Sequence, residues 1–206
     1  HLAPTQWLPA MAGYGVASAL VAAALARRFP HAALGWCNVI TQVRLALVAL
    51  LATPLLAQTG AGGWIVAALA LAVLALDGVD GWLARRQGLC SAFGARFDME
   101  VDAALALVLA LHALHSATVG AGVLLLGLAR YAFVAATFIW PWLSRPLPHS
   151  KARKAVCVAQ LSALIAVQAP VVGDAASGAL TLAVAAALLW SFGRDVLWLS
   201  RARARH

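Results

Sequence analysis

The sequence predicts an all-α integral membrane protein. Of its 206 residues, 64% are hydrophobic and only 11% are charged, a composition outside the range of soluble globular domains. The length allows about seven spans of roughly 20 residues each. Seven apolar segments are predicted to form them, at about residues 7–26, 33–57, 62–86, 92–115, 118–143, 153–171 and 175–197.

Positive charge lies beside alternate segments, and the formal net charge of the chain is +8. The basic residues that close the first, third, fifth and seventh segments are Arg27 and Arg28, Arg85 and Arg86, Arg145 with Lys151, Arg153 and Lys154, and Arg194 with Arg201, Arg203 and Arg205. The intervening loops carry no Lys or Arg. We expect a multi-pass protein of the cell or inner membrane, and the positive-inside rule predicts that its N-terminus lies outside and its C-terminus in the cytoplasm. These basic residues would form a cytoplasmic rim that suits anionic membrane lipids. Nucleic acid is not an expected partner.

Acidic residues are concentrated in one stretch of the chain. Of seven carboxylates, five lie within 26 residues: Asp77, Asp80, Asp98, Glu100 and Asp102. Asp77 and Asp80 share a helix face because they are three residues apart, and Asp98 and Asp102 share one because they are four apart. Glu100 points elsewhere on its helix. The short connection at residues 87–93 makes the two helix ends neighbours, so four carboxylates are expected to converge.

Converging carboxylates imply a cation, because four acids so close together cannot all stay ionised without one between them. Ligands that are all oxygen select a hard divalent ion, Mg²⁺ or Mn²⁺ before Zn²⁺. Gly81, Ala84 and Gly94 keep the same surface free of bulk, which leaves room for a phosphate ligand. The residues therefore predict a metal and phosphate site at the cytoplasmic face. The alternative is a set of helix-end carboxylates solvated at the membrane interface.

The acidic stretch also resembles a known signature. It reads Asp77-x2-Asp80-Gly81-x2-Ala84-Arg85-x8-Gly94-x3-Asp98-x3-Asp102 and meets every fixed position of the motif of the CDP-alcohol phosphotransferase (CDP-alcohol phosphatidyltransferase) family. A weaker resemblance covers about residues 33–200. It implies the family's six-helix transmembrane core, so we expect a membrane domain at residues 30–200. Residues 1–29 would then be an extra N-terminal transmembrane helix, and residues 201–206 a basic cytoplasmic tail.

The resemblance implies an enzyme of phospholipid synthesis. Such a transferase moves a phosphatidyl, or substituted phosphate, group from a CDP-linked donor such as CDP-diacylglycerol to an alcohol or lipid acceptor and releases CMP. It would use one or two Mg²⁺ or Mn²⁺ ions, held by Asp77, Asp80 and Asp98. Asp102 would be the base that deprotonates the acceptor and would also contact metal. The resemblance further implies a homodimer.

A nucleotide pocket is implied around the same stretch. Gly81, Ala84 and Gly94 would let the cytidine and diphosphate approach the backbone, and Arg85 would bind phosphate. The family often carries a polar stripe that lines this pocket, and here the stripe consists of Asn38, Thr41 and Arg44. Such a stripe must face the bundle interior in lipid. Interhelical hydrogen bonding is the alternative interpretation of its polar residues.

Three basic residues are candidates for the acceptor pocket. Arg130 lies in the middle of an apolar segment, where an arginine needs an anionic partner or water, and family members often place a basic residue in this helix. Lys151 and Arg153 precede the sixth segment and would suit a phosphorylated acceptor such as glycerol 3-phosphate. The alternative for this second pair is that it only sets the topology.

Two other function classes use acidic residues in membranes. A divalent-cation transporter would place its site at the bilayer midplane, often on broken helices, whereas these acids are predicted at helix ends beside Arg85. An intramembrane prenyltransferase would show two acidic clusters in separate parts of the chain. Only one acidic hairpin is present in the sequence, so the phosphotransferase interpretation is preferred.

Overall fold

The computed structural model describes residues 7–28, 36–57, 63–87, 91–148 and 150–203, and within these ranges every regular element is a helix. The α-helices are α1 (Leu8–Arg28), α2 (Trp36–Leu56), α3 (Gly63–Gln87), α4 (Ala92–His115), α5 (Leu124–Ile139), α6 (Lys151–Gln168) and α7 (Asp174–Arg203). Short 3-10 turns precede and follow α5. A helix therefore lies in each of the seven apolar segments predicted from the sequence.

Four helical stretches in the described part of the chain are long and apolar enough to cross a membrane. They are Asn38–Leu56, Gly63–Leu83, Ala121–Ile139 and Asp174–Ala202. Large apolar side chains on these helices face outward: Leu182 of α7 is 73% exposed and Ile65 of α3 is 64% exposed. Exposed apolar surface of this kind is suited to contact with lipid rather than water.

The chain divides into two compact units, His1–Val108 and Leu109–His206, and the boundary falls within α4. In the first unit, α2 packs against both α1 and α3. Val66, Ala70 and Val73 recur at the spacing of one helix face and form the buried side of α3. The amide of Gln42 on α2 donates hydrogen bonds to Ser18 Oγ, at 2.6 Å, and to Tyr14 Oη, at 3.4 Å. These contacts attach α1 to α2.

The second unit contains the end of α4 and the three helices that follow. α6 packs against α7, and α5 also contacts α7. Gln168 at the end of α6 is buried, and its amide donates to the carbonyl of Leu109 on α4, at 2.9 Å. The amide of Gln160 donates to the carbonyl of Leu126 on α5, at 2.6 Å. Hydrogen bonds of this kind satisfy polar groups between helices in lipid.

Two tryptophan–arginine pairs mark the helix ends that carry positive charge. The Arg86 guanidinium lies 5.0 Å from the ring centroid of Trp82 on α3, and Arg194 lies 5.0 Å from that of Trp190 on α7. Each pair is four residues apart and therefore shares a helix face. Tryptophan and arginine are both typical of the membrane–water interface. Trp82 and Arg86 thus indicate that the acidic end of α3 lies close to that interface.

Candidate metal and phosphate site

The carboxylates of α3 and α4 converge on the guanidinium group of Arg44 from α2. Arg44 Nη1 lies 3.1 Å from Asp77 Oδ1 and 2.9 Å from Asp80 Oδ2. The same nitrogen pairs with Asp98, and Nη2 pairs with Asp102. The Arg44 side chain is 0% exposed. The structure therefore brings the four acidic residues of the sequence motif together, with an arginine at their centre.

Charge is unbalanced in this acidic cluster, which we define as Asp77, Asp80, Asp98 and Asp102. One guanidinium faces four carboxylates, so the cluster keeps an excess of formal negative charge when all four are ionised. Asp80 is the most enclosed of the four, at 6% side-chain exposure against 35% for Asp98. The excess negative charge is therefore accessible on the side of α4, where a further cation can approach.

Three members of the acidic cluster form a suitable donor set for a metal ion. Asp77, Asp98 and Asp102 are half-buried, and each offers one ligand atom within 4.8 Å of the others. Oxygen-only donors with negative charge suit a hard divalent ion such as Mg²⁺ or Mn²⁺. Asp80 is not part of this closest group, and its Oδ2 accepts hydrogen bonds from Thr41 and Arg44. The residues present thus fit a divalent cation.

The start of α4 fixes the position of its two carboxylates. The hydroxyl of Ser91 accepts a hydrogen bond of 2.9 Å from the backbone N–H of Gly94, and the Ser91 carbonyl accepts one from Ala95. Serine in this position satisfies backbone donors that a helix start leaves free. Asp98 follows Gly94 by one turn and Asp102 by two, so both lie on the face that meets Arg44.

The nucleotide residues predicted from the sequence differ in what the structure shows of them. Asn38 is 5% exposed, and its Nδ2 has no hydrogen-bond partner among the residues that the structure describes. A Cβ atom added at Gly94 would lie 3.4 Å from Asn38 Oδ1, so these two residues are in close contact. Gly81 is half-buried on α3. The side chains of Ala84 and Arg85 lie outside the described part of the chain.

Thr41 has a structural partner within the acidic cluster. Its hydroxyl donates a hydrogen bond of 3.1 Å to Asp80 Oδ2. The nucleotide-binding role that the sequence indicates for Thr41 stays a prediction, and in the structure its hydroxyl contacts a carboxylate of the motif. Because outer-shell partners of this kind orient the ligands of a metal site, Thr41 is suited to holding Asp80 in position.

An apolar groove lies beside Asn38, between α1 and α2. Its volume is about 420 Å³. Its lining consists of Tyr14, Ser18, Ala22, Asn38, Val39, Gln42, Val43, Ala46, Leu47 and Phe97. The groove therefore begins at a residue that touches Gly94 of the motif and continues along helices of the apolar part of the chain.

The three predicted acceptor residues belong to the second unit. Arg153 Nε lies 3.3 Å from Asp195 Oδ2 on α7, and its Nη2 donates to the carbonyl of Pro148, at 2.6 Å. This guanidinium therefore joins α6 to α7. Lys151 is exposed at the start of α6, and Arg130 is half-buried in α5. The acidic cluster belongs to the first unit, so the acceptor role of these three residues stays a prediction.

The central place of Arg44 was the main feature that sequence reasoning missed. The polar stripe on α2 included Arg44 only as a residue of the nucleotide pocket. A clearer signal was available, because an arginine inside an apolar helix requires an anionic partner. The chain has few carboxylates that could be this anionic partner, and most of them lie in the motif.

The fold and the site define an integral membrane protein of helices, with an acidic cluster that can hold a divalent metal. The chain belongs to the CDP-alcohol phosphatidyltransferase family, whose sequence model matches residues 34–191. No curated protein and no solved structure matches the chain. Family membership makes the protein a transferase of phospholipid synthesis that uses a CDP-alcohol donor and an alcohol acceptor, and the family depends on divalent metal. The transporter and prenyltransferase interpretations are therefore set aside.

Proposed function

We propose that the protein transfers a phosphatidyl group from CDP-diacylglycerol to a small alcohol, and that the acidic cluster binds the Mg²⁺ or Mn²⁺ on which the reaction depends. The observation that carries this proposal is the meeting of four carboxylates from α3 and α4 at one point. The predicted topology places the reaction at the cytoplasmic face. Residues 30–200 are the proposed membrane domain, with residues 1–29 as an added helix and a homodimer as the assembly.

The acidic cluster is assigned to the metal and to the acceptor. Asp77, Asp80 and Asp98 would hold the ion, and Asp102 would contact it as well. A divalent ion bound to a diphosphate neutralises negative oxygen and makes CMP a better leaving group. The nearness of the ligand atoms of Asp77, Asp98 and Asp102 supports three of these four assignments.

Asp102 is the proposed general base. The acceptor hydroxyl loses its proton to the Asp102 carboxylate while its oxygen attacks the phosphorus that carries the diacylglycerol. A new phosphorus–oxygen bond forms, and the bond to the CMP oxygen breaks so that CMP leaves with the electron pair. Asp102 is 29% exposed on its side chain, which leaves it accessible to an incoming alcohol.

The nucleotide and the lipid part of the donor are assigned to neighbouring surfaces. The residues that would bind the CDP group are Asn38, Thr41, Gly81, Ala84, Arg85 and Gly94. The contact between Asn38 and Gly94 supports a shared pocket. The apolar groove that starts at Asn38 suits one acyl chain of the donor, because it continues from the proposed nucleotide pocket along membrane helices.

The acceptor is proposed to carry a phosphate, as glycerol 3-phosphate does. Arg130, Lys151 and Arg153 are the residues that would recognise it. Exposed Lys151 is free of the ion pair that Arg153 makes with Asp195. Of the three residues, Lys151 is therefore the preferred candidate for binding the acceptor phosphate.

The test is CMP release from CDP-diacylglycerol by the purified protein in lipid nanodiscs. The reaction is run with Mg²⁺ or Mn²⁺ and, in turn, glycerol 3-phosphate, inositol phosphate, serine or phosphatidylglycerol. We expect CMP release with a phosphorylated acceptor and no CMP release in EDTA. No release with any alcohol, from protein that unfolds cooperatively, would contradict the proposal.

A pair of carboxylate variants tests the assigned base. Asp102→Asn is expected to abolish CMP release while donor binding persists. Glu100→Gln removes an exposed carboxylate of the same helix and is expected to leave turnover unchanged. Full activity of Asp102→Asn would remove Asp102 as the base.

A further inference from the structure

We infer that the Arg44 guanidinium is the counter-cation of the acidic cluster before substrate binds. When a divalent ion enters, the guanidinium leaves the carboxylates and binds the diphosphate of the CDP-linked donor instead. Arg44 is thus a positioning residue that competes with the metal in one state and binds phosphate in the other. The first half depends only on the geometry of the cluster. The second half rests on the proposed function.

Arg44 and the four carboxylates depend on one another in an apolar environment. The Arg44 side chain is 0% exposed, and a buried guanidinium without an anionic partner is strongly unfavourable. The carboxylates repel one another when no cation separates them. Arg44 therefore keeps the metal-free cluster assembled, with its ligand side chains already directed at one point.

The guanidinium group and a metal ion would use the same side chains. Arg44 pairs with Asp77, Asp98 and Asp102, and these three residues also form the donor set within 4.8 Å. Each N–H contact engages one oxygen of a carboxylate in that donor set, and the positive charges of the guanidinium and the metal repel at such short range. Entry of a divalent ion therefore requires Arg44 to give up part of its contacts.

Phosphate is the natural second partner for this side chain. Arginine presents a planar set of donors that matches phosphate, and it does so better than lysine. Arg44 Nε has no hydrogen-bond partner among the described residues, so the carboxylate-bound position leaves one donor unused. A diphosphate held at the same cluster would accept from the donors that Arg44 releases and from Nε.

The first experiment measures Mn²⁺ binding without nucleotide, by electron paramagnetic resonance of the protein in nanodiscs. It compares the wild type with Arg44→Gln and with the control Arg86→Gln, which removes an exposed arginine stacked on Trp82. Arg44→Gln is expected to bind Mn²⁺ at least about tenfold more tightly, because a competing cation is removed. Arg86→Gln should match the wild type. Equal or weaker Mn²⁺ binding by Arg44→Gln would overturn the inference.

Thermal unfolding and a second variant keep the test decisive if Arg44→Gln has a folding defect. Arg44→Gln should unfold at a lower temperature than the wild type in EDTA, and Mn²⁺ should raise its midpoint by more than it raises that of the wild type. If Arg44→Gln does not fold even with Mn²⁺, Arg44→Lys replaces it, since lysine keeps the charge but lacks the planar fork. Arg44→Lys must then bind Mn²⁺ more tightly than the wild type, and an unchanged affinity contradicts the competition.

The second experiment measures CDP binding at saturating Mn²⁺. Arg44→Gln is expected to bind CDP about tenfold more weakly, as removal of a charged hydrogen-bond donor to phosphate should do. Tighter Mn²⁺ binding with weaker CDP binding is the signature of the exchange. Unchanged CDP binding by Arg44→Gln would overturn the phosphate half alone. If the wild type binds Mn²⁺ but no CDP, the proposed function fails, while the Mn²⁺ comparison still decides the role of Arg44.

Discussion

The hydroxyl of Thr41 on α2 donates a hydrogen bond to Oδ2 of Asp80 on α3, at 3.1 Å. The same oxygen accepts from Arg44 Nη1 at 2.9 Å. Asp80 is buried, so its negative charge depends on these two donors rather than on water. The most enclosed carboxylate of the site is thus held by a helix that contributes no acidic residue to it.

Removal of the Thr41 hydroxyl is expected to weaken the metal site. Thr41→Val keeps the branched shape but leaves Asp80 without one of its donors, and loss of an outer-shell partner typically costs about 10–100-fold in metal affinity. Mn²⁺ titration measures the change. Thr53→Val is the control, since the Thr53 hydroxyl donates only to the Ala49 carbonyl of its own helix among the bonds described. Equal affinities of the two variants would show that Thr41 does not support the cluster.

Gly94 is expected to tolerate no side chain without movement of its neighbours. A Cβ there would lie 3.2 Å from Ser91 Oγ and 3.4 Å from Asn38 Oδ1. Gly94→Ala should therefore raise the Michaelis constant for the donor, because Ser91 must shift and the new methyl group fills the space beside Asn38. The control is Gly78→Ala at a variable position of the motif, where a Cβ meets nothing within 4 Å.

The two glycine variants should also differ in stability. Gly78→Ala is expected to stabilise its helix by about 0.5–1 kcal/mol because alanine loses less conformational freedom than glycine on folding. Gly94→Ala should gain less or lose stability. An unchanged donor Michaelis constant for Gly94→Ala would contradict the close packing of Asn38 in the nucleotide pocket.

Much of the fold follows directly from the sequence. Helices form where the apolar segments were predicted because the backbone of a membrane span must satisfy its own hydrogen bonds. The i,i+3 and i,i+4 spacings place Asp77 with Asp80, and Asp98 with Asp102, since helical periodicity fixes which side chains share a face. The short connection between α3 and α4 brings the two pairs within reach of one another.

The partners of the acidic cluster were harder to predict. Spacing along one helix does not determine which residue of another helix will meet it, so Arg44 at the centre of the carboxylates was not foreseen. For the same reason, the bond from Thr41 to Asp80 and the ion pair from Arg153 to Asp195 appear only in the structure. Each depends on how two consecutive helices pack, because it joins residues that are distant in sequence.

Lys151 and Arg153 should respond differently to loss of charge. Arg153→Gln removes the 3.3 Å ion pair with Asp195 and is expected to lower the free energy of unfolding, since buried Asp195 would keep the longer 3.7 Å pair with Arg194 but lose its nearer charged partner. Lys151→Gln removes an exposed charge and should leave stability unchanged. It should instead raise the Michaelis constant for a phosphorylated acceptor severalfold.

Chemical denaturation and acceptor kinetics measured on both variants separate the two roles. If Lys151→Gln changes neither stability nor the acceptor Michaelis constant, Lys151 serves topology alone. A destabilised Lys151→Gln would contradict its description as an exposed residue outside the packing of α6.

The proposed function requires the acidic cluster to hold a divalent metal that in turn binds the diphosphate of a CDP-linked donor. Its most direct test is calorimetric titration of CDP into the purified protein, once with Mg²⁺ and once with EDTA. We expect CDP to bind in Mg²⁺ and not in EDTA, and we expect Asp98→Asn to lose the Mg²⁺-dependent binding. CDP binding of equal affinity in Mg²⁺ and in EDTA would contradict it.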